Sequence, residues 1–182
     1  MLSRTLGAVV AVLAAGSCAV GADLQISPGR VDPPDYPAAS TSWSWQRLQR
    51  AWGPPTDCEF QEECTNNKSD IAFYPFGLLV MKDRRIIYIE VSSTAWSTPQ
   101  GIRRRSPLSK LRAAYGSGLL PVANQHQAVG RGSGQYRIDP TNYIVVTGGN
   151  ALGFSMAGGR VSTIITGAVA DVRETLAMYG PL

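Results

Sequence analysis

The chain has 182 residues, 44% of them hydrophobic, and a formal net charge of +4. This length is enough for one domain with its own hydrophobic core. No apolar stretch reaches the roughly 20 residues that a membrane-spanning helix needs, so the composition argues against a permanent span.

The N-terminus has the pattern of an export signal. Arg4 precedes an uninterrupted apolar run over residues 6–15, and small residues follow it. We therefore predict a signal peptide over residues 1–22, with two routes of processing open. Cleavage before Asp23 would release a soluble protein, whereas the residues before Cys18 resemble a lipobox that would place a lipid on that cysteine. Both routes predict an extracellular or cell-envelope location and argue against a nucleic-acid partner, and membrane contact is expected only through a lipid on Cys18.

The segment after the signal peptide has the composition of a linker. Residues 23–42 are rich in Pro, Ser and Ala and have no apolar periodicity. Such segments bury too little apolar surface to offset the entropy of ordering, so we predict a disordered linker here. The remaining residues, 43–182, are predicted to form a single domain.

Two short amphipathic helices are predicted at corresponding places in two halves of this domain. Each stops at an aromatic-glycine pair, where glycine can adopt the left-handed conformation. The apolar positions and terminal glycines are Trp45, Leu48, Trp52 and Gly53 in the first helix, and Leu108, Leu111, Tyr115 and Gly116 in the second. Ser106 is predicted to be the N-cap of the second helix, with Pro107 following it in a preorganised first turn.

Three strand-like runs separated by turn residues follow each helix. The runs are Ile71–Tyr74, Leu78–Met81 and Ile86–Val91 in the first half, and Tyr143–Thr147, Leu152–Met156 and Val161–Thr166 in the second. The helices are offset by 63 residues and the last strands by 75. We therefore interpret the halves, 43–92 and 98–167, as diverged α-β-β-β repeats, with the extra residues of the second in a mobile loop at Gly118–Gly134.

The chain closes with a predicted helix from Asp171 to Gly180. Asp171 and Glu174 have the spacing of a capping box, and Val172, Leu176 and Tyr179 form an apolar stripe. The predicted fold class is therefore α+β: two repeats form an antiparallel sheet with helices on one face, and a short C-terminal helix docks on the sheet.

Cys58 and Cys64 are the cysteines that remain once the leader is removed, and export places them in an oxidising compartment. We predict a disulfide bond between them, closing the acidic segment 59–63. A metal site is the alternative, but no histidine or second cysteine pair is near in the sequence, so no metal or other cofactor is predicted.

The phrase Thr98-Pro99-Gln100-Gly101-Ile102, which leads into Ser106-Pro107-Leu108 and Leu111-Arg112-Ala113-Ala114-Tyr115-Gly116, resembles the β-lactamase-inhibitory-protein-like superfamily. That superfamily includes small bacterial envelope lipoproteins. The resemblance spans about 44–167 and implies a curved antiparallel sheet with helices on one side and binding through the other. It assigns no inhibitory target.

No catalytic constellation is apparent in the sequence. The single histidine, His126, lies in a polar segment, and no nucleophile motif accompanies it. Glu90, Asp70 and Asp139 are carboxylates that a hydrolase could use, yet each is placed as a surface or turn residue. We therefore predict a non-enzymatic protein, with a small secreted hydrolase built on Glu90, Asp139 and His126 as the alternative.

A binding surface is predicted from aromatic and basic residues around the junction of the two units. Its members are Trp96, Tyr88, Tyr143, Arg103, Arg104 and Arg105. Trp96 lies where no strand pattern buries it. The predicted partner is a protein or a cell-wall component, and the alternative is inhibition of a secreted enzyme by the acidic loop between the cysteines. The sequence gives no oligomeric state.

Overall fold

A computed structural model of the chain describes residues 24–33, 36–58, 71–75, 77–91, 93–123 and 141–178, and for Cys58 it describes the backbone alone. The predicted leader with Cys18 lies outside these residues, and so do Cys64 and the acidic segment 59–63. Export, lipidation and the disulfide bond therefore stay predictions.

The protein has the predicted α+β architecture. The helices are α1 (Trp45–Trp52), α2 (Leu108–Tyr115), which continues into a 3-10 turn at Gly116–Gly118, and α3 (Val169–Met178). The strands are β1 (Leu24–Ser27), β2 (Arg30–Asp32), β3 (Ala39–Ser40), β4 (Asp57–Cys58), β5 (Ile71–Tyr74), β6 (Gly77–Lys82), β7 (Arg85–Val91), β8 (Trp96–Ser97), β9 (Leu119–Ala123), β10 (Thr141–Thr147), β11 (Asn150–Ala157) and β12 (Arg160–Ala168).

These strands form two sheets. The main sheet is antiparallel and has the order β4-β5-β6-β7-β12-β11-β10-β9. The smaller sheet has the order β3-β2-β1-β8, in which β1 pairs in parallel with β8. No helix within the described ranges is long and apolar enough to cross a membrane.

The main sheet has helices on both faces. Leu152 and Phe154 of β11 belong to the large core that also contains the buried residues of α1 and α2. Gly153 between them lies against Val172 and Leu176 of α3. Because successive strand residues point to opposite faces, α1 and α2 cover one face, here called the inner face, and α3 covers part of the other, here called the outer face. The C-terminal helix thus docks on the sheet as predicted, but on the side opposite α1 and α2.

The two halves of the main sheet have equivalent architecture. The backbone at the start of each helix is hydrogen-bonded to the turn before the last strand of its own unit. The bonds are Trp45 N to Arg84 O (2.9 Å) and Ile86 N to Trp43 O (3.2 Å) in the first unit, and Leu108 N to Gly159 O (3.0 Å) and Val161 N to Ser106 O (2.9 Å) in the second. These pairs keep the offsets of 63 and 75 residues read from the sequence, and both units shift register at the same place, before Met81 and Met156. Descent of the units from one duplicated segment stays a prediction.

Each unit has one strand more than the sequence predicted. β4 and β9 form the two edges of the main sheet. The start of the predicted loop Gly118–Gly134 is therefore ordered as β9, which pairs with β10; residues 124–134 lie outside the described ranges. Pro121 stands in β9, where an edge strand tolerates the missing N–H.

The prediction of a disordered linker over residues 23–42 was wrong for the part that the structure describes. β1, β2 and β3 lie in this segment, and Ile26 and Val31 are fully buried in the large core. The composition misled because the apolar surface that covers these residues comes from distant parts of the chain, including Trp96 of β8.

Thr166 of β12 holds the β1–β2 hairpin on the main sheet. Its buried hydroxyl accepts a hydrogen bond from Gly29 N at 2.6 Å and lies within donating distance of Ser27 O (2.7 Å) and Ala151 O (3.2 Å). Val91 occupies the corresponding position of the first unit, so valine fits this site of the fold.

We expect Thr166→Val to lower the free energy of unfolding by about 1–3 kcal/mol, because it leaves Gly29 N–H and Ser27 O without their partner. Urea unfolding measures this loss, and amide exchange at Gly29 should accelerate. Thr163→Val on the same strand is the control, with an expected change of at most about 0.5 kcal/mol. Unchanged exchange at Gly29 would contradict the assignment.

Two capping predictions were also wrong. α3 begins at Val169, so Asp171 stands in its first turn and is not the N-cap of a capping box with Glu174; Tyr179 and Gly180 lie beyond the described residues. At α2 the cap is Pro107, which offers no side-chain acceptor, whereas Ser106 Oγ accepts from Arg103 N at 3.0 Å. Ser106 therefore closes the turn before α2, and the N-cap residue makes no side-chain hydrogen bond to the N-terminus of α2.

Candidate functional site

Trp96 does not belong to a binding surface, which corrects the prediction. Its side chain is 0% exposed and is part of the large core. Sequence patterns placed no strand here, but the short β8 pairs with Leu24 of β1, and this pairing draws Trp96 under the N-terminal hairpin.

The two predicted tyrosines lie on opposite faces of the main sheet. Tyr88 packs against the small cluster beneath α3 on the outer face. Tyr143 packs against the large core on the inner face, and its hydroxyl accepts from Arg112 Nη2 at 3.4 Å. Both are half-buried, so they cannot form one recognition surface together.

The arginine cluster lies at the end of the main sheet where β12 begins. Arg105 has a φ of 69°, its N–H donates to Val161 O at 2.6 Å, and its carbonyl accepts from Arg160 Nη1 at 3.1 Å. This turn holds on β12 the segment between β7 and α2, residues 93–107, which is called here the segment that joins the two units. Arg104 and Arg105 are exposed, and Arg103 is half-buried.

A single row of paired residues crosses the outer face of the main sheet. In order from the first unit to the second it consists of Phe73, Leu78, Glu90, Ile165, Gly153, Ile144 and Leu120. We call it the central row. In its second half, Ile165, Gly153 and Ile144 are buried beneath α3.

The first half of the central row has different chemistry. Glu90 stands where the second unit has Ile165, and Leu78 stands where it has Gly153. A Cβ on Gly153 would lie 2.7 Å from Val172 Cγ1, so the glycine allows α3 to approach closely, whereas Leu78 does not. Phe73 is 38% exposed. The central row is therefore covered by α3 at Ile165, Gly153 and Ile144, whereas α3 does not cover Phe73 and Leu78. Leu120 at the far edge of the second unit is also exposed (42%).

A pocket of about 440 Å³ lies over this accessible part, between the β5–β6 turn and the segment that joins the two units. Volumes of this size are typical of ligand sites. It is lined by Phe73, Tyr74, Pro75, Gly77, Leu78, Glu90, Ser93 and Arg104. The walls are mainly apolar, Glu90 is only 7% exposed, and the Arg104 side chain is exposed.

Gly77 is required by the geometry of this pocket. A Cβ at this position would collide with the backbone oxygen of Glu90 on the neighbouring strand. The close approach of β6 to β7 keeps Glu90 beside Leu78, with which it is paired in register.

Glu90 also influences the adjacent tyrosine. Burial raises the pKa of Tyr88, the Glu90 carboxylate adds to the rise, and a hydrogen bond with Thr175 of α3 opposes it. Glu90 therefore acts electrostatically on Tyr88, its neighbour on the outer face. The sequence-based placement of Glu90 as a surface residue was wrong.

Of the predicted binding residues, the pocket contains only Arg104. Phe73, Leu78 and Ser93 were missed as site residues, and Glu90 was considered only as a catalytic carboxylate. One signal was present in the sequence: at an offset of 75 residues, Glu90 aligns with Ile165. A charge in one unit at a position where the other unit has a core residue was the signal that the sequence offered for this pocket.

The catalytic alternatives are not assembled by the described residues. His126, Asp139 and Asp70 lie outside the described residues, so the hydrolase alternative built on Glu90, Asp139 and His126 stays a prediction. Within the parts of the chain that the structure describes, no group of three His, Cys, Asp or Glu side chains could hold a metal ion. The predicted inhibitory loop 59–63 also lies outside.

Alkaline pH should destabilise the fold through three tyrosines. Burial raises the pKa of Tyr74, Tyr88 and Tyr115 above the ordinary value. Unfolded tyrosines ionise near pH ~10 whereas the folded ones keep their protons, so the stability they support is complete below that pH and falls as pH rises above it. Each tyrosine adds a slope of up to about 1.4 kcal/mol per pH unit.

Urea unfolding between pH 8 and 11 tests this expectation. Tyr74→Phe should reduce the slope by one tyrosine's share and, at neutral pH, lose the 3.1 Å bond from Tyr74 OH to Gly53 O. A free energy of unfolding that is independent of pH over this range would contradict it.

No protein-family model matches the sequence, and no curated protein matches it significantly. Among solved structures, the chain is similar to an extracellular protein containing an SCP domain from Bacillus anthracis strain Ames, with a TM-score of 0.46 and 10% sequence identity. The match covers 78% of this chain and 49% of that chain, so this chain spans about half the length of the matched protein. A likeness at this level assigns no function, and the resemblance to the β-lactamase-inhibitory-protein-like superfamily stays a prediction.

Proposed function

We propose that this protein is an exported, non-enzymatic binding module, which binds a protein or cell-wall component at the pocket lined by Phe73, Glu90 and Arg104. One observation carries the proposal: the first unit has an accessible pocket with a buried carboxylate at the position where the second unit has a sealed apolar core. Burying a charge costs free energy. Core packing alone would favour an apolar residue at Glu90, as the second unit has with Ile165.

The pocket has the features of a recognition site. Phe73, Pro75 and Leu78 supply apolar contact, and Glu90 with Arg104 supplies opposite charges. The segment that joins the two units forms one wall and is held on β12 by the backbone bonds of Arg105. This wall is therefore preorganised in the free protein, which reduces the entropy lost on binding.

A comparison of envelope binding between variants tests the proposal. The purified protein is incubated with the cell-envelope fraction, and bound protein is quantified for wild type, Phe73→Asp, Arg104→Glu and Lys82→Glu. Lys82 is the matched control because it is exposed at the opposite end of β6. We expect both pocket variants to lose binding and Lys82→Glu to keep it. Equal binding by all four proteins would contradict the proposal.

Intact-mass measurement tests the location on which the proposal depends. We expect the mature chain either to begin at Asp23 or to carry a lipid on Cys18. Full-length protein recovered from the cytosol with residues 1–22 still attached would refute export.

A further inference from the structure

The pocket places opposite charges within one site. Glu90 and Arg104 both line it, Glu90 from β7 and Arg104 from the segment that joins the two units. A ligand with a single negative charge would be attracted by Arg104 and repelled by Glu90, and a ligand with a single positive charge would meet the reverse. Only a ligand with both charges gains two favourable interactions.

Both residues already have interaction partners in the protein. An entering ligand must therefore replace those interactions group for group. A carboxylate can serve as a new partner for the guanidinium, and an ammonium group as a new partner for Glu90, so that no buried charge is left without compensation.

The apolar lining residues of the pocket indicate what uncharged group the ligand carries. Phe73 and Leu78 are neighbours on the central row, and Pro75 lies beside them in the β5–β6 turn. Phe73 is exposed enough to be covered further. These surfaces favour an apolar side chain, whose transfer from water contributes about 25 cal/mol for each Å² buried.

We infer that the pocket binds a short zwitterionic peptide, with its ammonium group at Glu90, its carboxylate at Arg104 and an apolar side chain against Phe73 and Leu78. This inference rests on the proposed function and names its ligand class. Two sources have this chemistry: the termini of L-peptides derived from proteins, and cell-wall peptides that contain D-residues.

Titrations of the isotope-labelled protein, followed by amide NMR, test the inference. The probes are L-alanyl-L-leucine, its N-acetyl derivative, its C-terminal amide, and D-alanyl-D-leucine. We expect a zwitterionic dipeptide to give saturable shifts at the amides of Leu78, Glu90 and Ser93. Each capped form removes one charge-assisted interaction and should bind about tenfold or more weakly. The dipeptide that saturates the pocket at lower concentration, L or D, identifies the source.

Variants provide a second measurement. Glu90→Gln and Arg104→Ala should each weaken the zwitterionic dipeptide by about tenfold or more, and Lys82→Ala should leave it unchanged. The amide spectrum of each variant reports whether it is folded, and the capped-peptide series on wild type needs no variant at all.

The inference is overturned if capped and uncapped peptides bind equally, if the shifts lie away from the pocket, or if no dipeptide binds. In that last case the envelope comparison separates the two claims. Binding that still depends on Phe73 and Arg104 would leave the proposed function standing and remove only the ligand class.

Discussion

Leu48→Ala and Leu111→Ala should each lower the free energy of unfolding by about 2–5 kcal/mol. The two leucines occupy corresponding positions of α1 and α2, and both are fully buried in the large core. Truncation removes transfer free energy and leaves a cavity that the close-packed surroundings refill only partly. Urea unfolding followed by far-UV circular dichroism measures both losses.

Gln46→Ala and Ser109→Ala are the matched controls. They stand two residues before the leucines in their helices and are exposed, so we expect changes of at most about 0.5 kcal/mol. Since one core contains residues of both units, each leucine variant should shift a single cooperative transition. Two separate transitions, or a Leu111→Ala variant as stable as its control, would show that the units do not share a core.

Trp96→Ala is expected to cost about 3–5 kcal/mol. The indole is fully buried in the large core that also contains Ile26 and Ile102, so its truncation leaves a cavity there. The same unfolding measurement applies. We expect the substitution to lower stability without changing the pocket. At temperatures where the variant is folded, its binding to the cell-envelope fraction should therefore equal that of wild type.

Trp43→Ala is the comparison for this tryptophan. Its ring is half-buried, with the Arg47 guanidinium 4.3 Å from the ring centroid. Less apolar surface is lost on truncation, so a smaller destabilisation is expected, of about 1–2 kcal/mol. If both variants lost the same stability, the burial of Trp96 would be refuted.

Much of the main sheet could be predicted from residue patterns because its information is local. Leu48 and Trp52 lie at helical spacing, and the β-branched runs from Ile71 to Val91 are separated by turn residues. These signals arise within a few residues, and the offsets of 63 and 75 residues then relate the two units. The structure confirms the six predicted strands of the main sheet and the positions of α1 and α2.

The N-terminal strands and the burial of Trp96 could not be predicted in the same way. Ile26 and Val31 are single apolar residues in a polar segment, and a period-2 pattern cannot be recognised in three or four residues. Their environment is created by contacts such as Gly29 with Thr166, 137 residues away. The composition of a segment indicates how much apolar surface it can bury by itself. It does not indicate which distant residues will pack against it.

The pocket was predicted only through one of its members, Arg104. A basic cluster in a sequence indicates a surface, but it does not say which neighbours share it. Glu90 comes from β7 and Phe73 comes from β5, whereas Arg104 lies in a turn before α2. The register of β5, β6 and β7 brings them together, and register depends on long-range pairing that single-sequence patterns do not contain.

The bond between Gly29 and Thr166 also has a consequence for folding. The β1–β2 hairpin is synthesised early, yet its anchor belongs to the last strand of the sheet. A contact between residues so far apart in sequence has a large loop-closure entropy cost. Such contacts tend to form after the local β-hairpins. We therefore expect docking of the hairpin to complete the native state, with Ile26 and Val31 in water until β12 is in place.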